Sequence, residues 1–322
     1  MERVISEGAF EPASPTTPLP VQPPSNLIAQ APRDDDHQYI LVHENHVYFR
    51  KGVPVAKSVT QLLSRYWPKF DPDGVVKEYF DAWKPDKTSK YGALIRFLMF
   101  VEGHDEAYAK EAIQRLWARD GEMASSEGTR MHEEFQYVVE KWPMKSVDSE
   151  EVRMFRKWLA AFCSTHKVAP WRSEWTIGFM VDDTPLVAGT VDLVLKHVDK
   201  EEYWCVDYKR KDPAPKVRHG RQQLLGTEDE NRFFTEQPKG TGPFADMVAH
   251  DTHKYTSQLN VYAWIAHQQY GVDFRERLVL LQIHPDLPAP RTVLVPHLPE
   301  EMSILFALEA ADMTTRHSES SF

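Results

Sequence analysis

Apolar and polar positions alternate most clearly in the second half of the chain. Val187 to Lys196 and Tyr203 to Lys209 fit two strands, and Asp199-Lys200 between them fits a tight turn, so the pair is expected to form an antiparallel hairpin. A turn at that place sets Asp192 opposite Asp207. Residues two apart on a strand share a face, so Lys209 joins Asp207 while Val206 and Tyr208 face the other way. Helical spacing predicts a helix from Ser126 to Lys141, with Met131, Phe135, Val138 and Val139 on one face and His132 on the same side. A second helix follows over Val152 to Phe162, then a strand over Glu174 to Phe179. Beyond the hairpin, Arg210 to His253 reads mostly as loop. Tyr255 to Gln269 is expected as a helix with Leu259, Tyr262, Ala263 and Ala266 inward, Leu278 to Ile283 as a buried strand, Thr292 to Val295 as a shorter one, and Pro299 to Ala311 as a last helix.

The first 36 residues have no apolar period, are punctuated by proline and close on Asp34-Asp35-Asp36, which predicts a disordered tail. Tyr39 to Val42 and His46 to Arg50 fit a small hairpin, and Ser58 suits a helix N-cap. Helical, tryptophan-bearing stretches over Asp73 to Trp83, Tyr91 to Val101 and Glu106 to Arg119 form an expected N-terminal helical lobe that lines a channel or simply packs. The whole is an α/β class chain, a central mixed β-sheet flanked by helices with an N-terminal helical extension.

Composition narrows the chemistry. With 42% hydrophobic residues the chain has material for a core, and its two cysteines, Cys163 and Cys205, cannot supply a four-cysteine iron-sulfur or zinc site. They suggest a reducing compartment. The longest apolar run, Leu94 to Val101, carries Arg96 and is too short for a membrane span, and the first residues resemble neither a signal nor a transit peptide. A soluble, intracellular protein is the expectation. The net charge of −10 argues against a protein that coats nucleic acid, although Lys209, Arg210, Lys211, Lys216, Arg218 and Arg221 form a local basic strip. Such a strip is also what a solvated loop looks like.

Two facing carboxylates repel unless a cation lies between them, and the usual answer is a hard divalent ion such as Mg²⁺ or Mn²⁺. An ion held by carboxylates acidifies a water and offsets phosphate charge, while a nearby lysine can orient that water. Each residue also has a structural alternative. His132 fits an inward helical histidine, Asp192 and Asp207 fit edge-strand charges with Lys209 as ion-pair partner, Tyr262 fits the core, and Gln258 fits a solvated position. Two rival motifs fail: Gln136 stands where a zinc protease HExxH needs its second histidine, and no glycine-rich stretch ends in Gly-Lys-Ser/Thr.

Taken in order, Gly128-Thr129-Arg130-Met131-His132, Gly189-Thr190-Val191-Asp192, Asp207-Tyr208-Lys209 and Gln258-Leu259-Asn260-Val261-Tyr262 resemble the GxxxH, GxxD, DxK and QxxxY elements of the RecB-like branch of the PD-(D/E)xK nuclease superfamily. His46-Val47-Tyr48 and Ser58-Val59-Thr60 are similar to segments that precede the core in some viral and mitochondrial exonucleases. Lacking the cysteine set, the chain resembles a cluster-free member. The resemblance implies a restriction-endonuclease-like core over 121–313, preceded by a tail over 1–37 and a hairpin and helical lobe over 38–120, with a flexible end from 314. It also implies Mg²⁺ or Mn²⁺ held by His132, Asp192, Asp207 and the Tyr208 carbonyl, with Lys209, Gln258 and Tyr262 completing the catalytic set. Glu174, on the preceding strand, is expected to reach the cluster as a supporting acid behind these positions. The implied activity is metal-dependent hydrolysis of DNA, single-stranded or at ends, with RNA as a further substrate and no membrane role. The alternatives are an inactive nucleic-acid-binding module of the same fold and a hydrolase of small phosphate esters.

Overall fold

The computed structural model describes residues 24–42, 47–143, 149–213, 225–226 and 238–319. The chain opens with a short helix, α1 (Asn26–Gln30), and a three-stranded antiparallel sheet of β1 (Tyr39–Val42), β2 (Val47–Arg50) and β3 (Val53–Pro54). Next, β4 (Lys57–Ser58) runs straight into α2 (Val59–Leu63). Ser58 makes that junction by a reciprocal cap, its hydroxyl accepting from Gln61 N at 3.1 Å while Gln61 Oε1 accepts from Ser58 N at 2.9 Å. A helical lobe follows: α3 (Pro72–Trp83), capped by Asp71 with proline in its first turn, then α4 (Lys90–Arg96) and a π-helical turn over Phe97–Val101.

The next helix, α5 (Glu106–Glu140), is 35 residues long. Separate helices over Glu106 to Arg119 and Ser126 to Lys141 were expected, and this is corrected. Gly121 and Gly128 lie inside this helix, where a glycine costs only about 1 kcal/mol against alanine. The buried residues at both ends of α5 outweigh it. After α6 (Glu150–His166), Lys167 adopts the left-handed conformation that ends a helix and leads directly into β5 (Val168–Val181). Asp182 and Asp183, both at positive φ, then turn the chain into β6 (Thr184–His197). β5 is thus far longer than the expected Glu174 to Phe179. The remaining elements are β7 (Tyr203–Arg210), α7 (Asp251–Tyr270), β8 (Leu278–Ile283), β9 (Arg291–Val295) and α8 (Pro299–Glu319), which continues through 314–319 where a flexible end was expected. Within the expected loop of 210–253, the described part carries a 3₁₀ turn at Gly242–Phe244 and a bridge between Lys239 and Val248.

The central sheet is mixed, in the order β4-β6-β7-β8-β9 with β5 along the other edge of β6. β4 and β8 lie parallel to their neighbours β6 and β7, and the remaining pairs are antiparallel. One face packs under α2, α7 and α8 through residues such as Val59, Val194, Tyr262 and Leu305; the other packs under α5 and α6 through Phe135, Phe155, Leu193 and Tyr208. This is an α/β fold with helices on both faces of a mixed sheet. The lobe has its own small core of Val76, Phe80, Ile95, Leu98, Ala109 and Ile113, so α5 belongs to the lobe at one end and to the sheet at the other. Trp83, Tyr91 and Trp117 pack on one another and Trp67 stacks on Phe244, placing these tryptophans in packed clusters. No helix among the described residues is long and apolar enough to cross a membrane.

Residues 24–36 are not a free tail. Leu27 is buried, and the buried Glu140 carboxylate accepts from Ser25 Oγ at 2.8 Å and Leu27 N at 3.1 Å. Asp36 forms an ion pair at 3.0 Å with Arg172, which is only 1% exposed. The acidic triplet looked like solvated charge because its cation lies 136 positions away in sequence. Residues 1–23 of that expected tail lie outside the described residues, as does the turn of the first hairpin.

Candidate metal centre

The centre grows from a fork in the sheet. Along one edge, β6 pairs with β4 at Val187 and Ala188, then with β7 from Leu193 onward, so residues 189–192 face the gap between these partners. The β6–β7 register is the expected one, with Leu193 opposite Val206 and Lys196 opposite Tyr203; the Asp192/Asp207 pair is one step past the last paired residues. There β7 parts from β6 and continues with β8 through Asp207, Tyr208 and Lys209. The Tyr208 N–H, released from the ladder, donates to Asp192 Oδ2 at 2.6 Å. Gly189 lets two helices close on the fork: a Cβ there would lie 2.7 Å from Tyr262 Cε1 and 2.8 Å from Val59 Cγ2. At Gly128 a Cβ would meet nothing within 4 Å, so packing does not require that glycine.

Three side chains that could hold a metal ion converge. His132 Nδ1, from α5, lies 3.5 Å from Asp192 Oδ1 and 3.6 Å from Glu174 Oε1, and the ligand atoms of the three residues lie within 4.8 Å of one another. Glu174 was expected to reach the cluster as a supporting acid; the structure places its carboxylate in the same group as His132 and Asp192. It stands opposite Asp192 in the β5–β6 ladder, flanked by the pairs Ser173/Leu193 and Trp175/Val191, and its φ of 48° is left-handed within the continuous strand β5. Strand periodicity alone could not reveal that backbone twist. Asp207 stands beside the triad, its Oδ2 2.7 Å from Lys209 Nζ. Lys209 Nζ also donates to Gln258 Oε1 at 3.3 Å, and Gln258 Nε2 donates to Tyr262 Oη at 3.0 Å. Tyr208 contributes its peptide N–H, and its ring packs against Phe135 and Phe155 in the opposite layer.

Electrostatics follow from burial and proximity. Burial pushes the Asp207 carboxyl up to about 6, helped by the Asp192 charge and opposed by Lys209. Asp192 is raised for the same first reason, with His132 opposing. Burial would lower His132, but the Asp192 and Glu174 carboxylates outweigh it and push the imidazole up to about 9. Lys209 is likewise raised by Asp207 and Asp192 against its burial. The cluster therefore attracts positive charge, and without a metal it collects it as an imidazolium proton. Glu174 Oε1 is buried and makes no hydrogen bond, and the His132 imidazole lies 3.6 Å from it as an ion-pair partner. A mixed imidazole and carboxylate set suits Mn²⁺ or Mg²⁺.

The basic strip fares differently. Lys209 pairs with Asp207, Arg210 with Glu151, and Lys211 with Asp251, while Lys216, Arg218 and Arg221 lie outside the described residues. A second group, Asp212, His284 and Asp286, also brings ligand atoms within 4.8 Å, with both acids exposed.

No family model matches the chain, and no curated protein matches it. Among solved structures, one described as "Crystal structure of SSO0001" is 13% identical; the match covers 75% of this chain and 85% of that one, and its TM-score of 0.27 is too low to bear on fold or activity.

Proposed function

We propose that this chain is a metal-dependent nuclease that hydrolyses phosphodiester bonds in DNA, acting on single strands or ends from a restriction-endonuclease-like core. One observation carries the reading: His132, Glu174 and Asp192 converge at a fork in the sheet beside an Asp207–Lys209 pair. His132, Glu174 and Asp192 would hold Mg²⁺ or Mn²⁺, with Asp207 at its margin. A divalent ion there supplies positive charge to offset the phosphate and acidity to a water. Lys209 keeps its ammonium charged at the edge of the cluster, where it orients the attacking water or meets the developing oxyanion. Gln258 holds that ammonium from the far side and is itself held by Tyr262. The four motifs noted in the sequence supply every one of these residues except Glu174, in the same order, which supports the nucleic-acid substrate over a small phosphate ester.

The test is incubation with end-labelled single- and double-stranded DNA, and with RNA, in Mg²⁺, Mn²⁺ or EDTA. Cleavage with metal and none with EDTA is expected. Asp207→Ala and Lys209→Met should each lose at least about 100-fold. Wild-type protein that cuts none of these polymers with either metal overturns the proposal.

A further inference from the structure

One buried carboxylate links the elements that carry the site. Glu151, in the first turn of α6, is 3% exposed; its Oε1 accepts from Arg210 Nε at 2.9 Å and from Arg130 Nη2 at 3.3 Å. Arg210 directly follows Lys209 on β7, and Arg130 precedes His132 by two positions on α5. Both guanidiniums also meet acids of α5. Arg130 donates to Glu127 at 2.8 Å and to Glu134 at 2.9 Å, and Arg210 Nη2 lies 3.6 Å from Glu127. Ser149, which caps α6 by accepting from Val152 N, donates to Glu134 at 2.6 Å, so the start of α6 is tied to the same stretch of α5. Burial would raise the Glu151 carboxyl, yet the Arg210 hydrogen bond and the Arg130 charge hold it below the usual glutamate value. A charged acceptor shared by two planar guanidiniums from two elements is a directional contact in a buried setting, where geometry is enforced most strictly.

We propose that Glu151 is a positioning residue for the metal centre: through Arg130 and Arg210 it sets the helix bearing His132 against the strand end bearing Asp207 and Lys209. This rests on the reading of that centre as a metal site. It also removes Arg210 from the basic strip as a phosphate contact, because its Nε and Nη2 are directed at acids. Groups that orient metal ligands from outside the coordination shell typically govern metal affinity by about 10- to 100-fold when removed.

The test compares wild type, Glu151→Gln, Arg210→Gln and the double variant by Mn²⁺ titration, followed by electron paramagnetic resonance, and by KM, kcat and salt dependence on a labelled thymidine oligonucleotide. Each single variant should weaken Mn²⁺ binding by about 10-fold or more. The double variant should lose no more than the worse single, since both changes break one linkage. KM and the slope of binding against salt should stay at wild-type values. If Arg210→Gln instead raises KM and shallows the salt slope by about 1 with Mn²⁺ affinity intact, Arg210 is a phosphate contact and the proposal falls. It falls equally if all variants melt at lower temperature while holding Mn²⁺ as tightly as wild type. Arg210→Gln alone decides the matter if Glu151→Gln does not fold. Because Mn²⁺ affinity is read without DNA, an absence of nuclease activity in the wild type would sink the proposed function and still leave this linkage measurable.

Discussion

At the residue scale one member of the centre is held in a conformation it would not choose alone. Glu174 occupies left-handed backbone, which costs a residue with a side chain on the order of 1 kcal/mol, and its carboxylate faces that of Asp192. Glu174→Gly relieves both, so in EDTA it should melt at a higher temperature than wild type while binding Mn²⁺ at least about 10-fold more weakly. Unchanged metal affinity would remove Glu174 from the ligand set. Titration gives a second prediction. The His132 pKa rises from 6.5 to about 9 on folding, so its contribution to stability is complete below about 6.5 and is lost as pH climbs through 9. Asp207 rises from 3.8 to about 6; for an acid this favours the fold at low pH, and that contribution is lost as pH climbs through 6. Both slopes run downward with pH in the metal-free protein, with Asp192, Glu174 and Lys209 as the charged neighbours. A metal competes with the imidazolium proton, so the rise in melting temperature caused by Mg²⁺ should grow between pH 6.5 and 9. Melts in Mg²⁺ and in EDTA across that window measure it, and a flat increment would exclude His132 as the competing base.

Among the elements, α5 and the β6 fork matter most. The hairpin of β6 and β7 was legible because the turn at Asp199-Lys200 fixes the register and strand parity does the rest. What parity could not show is that β7 leaves β6 at Val206 and β4 leaves it at Ala188, opening the gap in which Asp192 sits. The gap requires Gly189, and Gly189→Ala should destabilise by about 1–3 kcal/mol through contact with Tyr262 and Val59, read as a lower urea midpoint. Cleavage should fall as well, because Tyr262 holds Gln258 and Gln258 holds Lys209. The single span of α5 includes Gly121 and Gly128, whose local cost is small beside two buried ends.

For the whole molecule, the N-terminal stretch sets the sharpest contrast. Deleting residues 1–36 would remove Asp36 from the buried Arg172 and Leu27 from the core, and leaving one partner of a buried ion pair costs about 3–5 kcal/mol. Such a deletion should lower the urea midpoint markedly; a variant as stable as the full chain would return this segment to the status of a tail. The strand and helix periods, the cap at Ser58 and the turn at Asp199-Lys200 are local matters, governed by neighbours a few positions apart, and the amino-acid sequence determined them by itself. It determined the α/β class for the same reason. Tertiary structure alone decided that Glu174 joins His132 and Asp192, that Arg210 serves Glu151, and that an acidic triplet near the start holds a buried arginine. These are pairings between residues tens of positions apart, or more than a hundred. Their charges are stabilised or penalised by burial, and burial is a property of the packed molecule that no single segment carries.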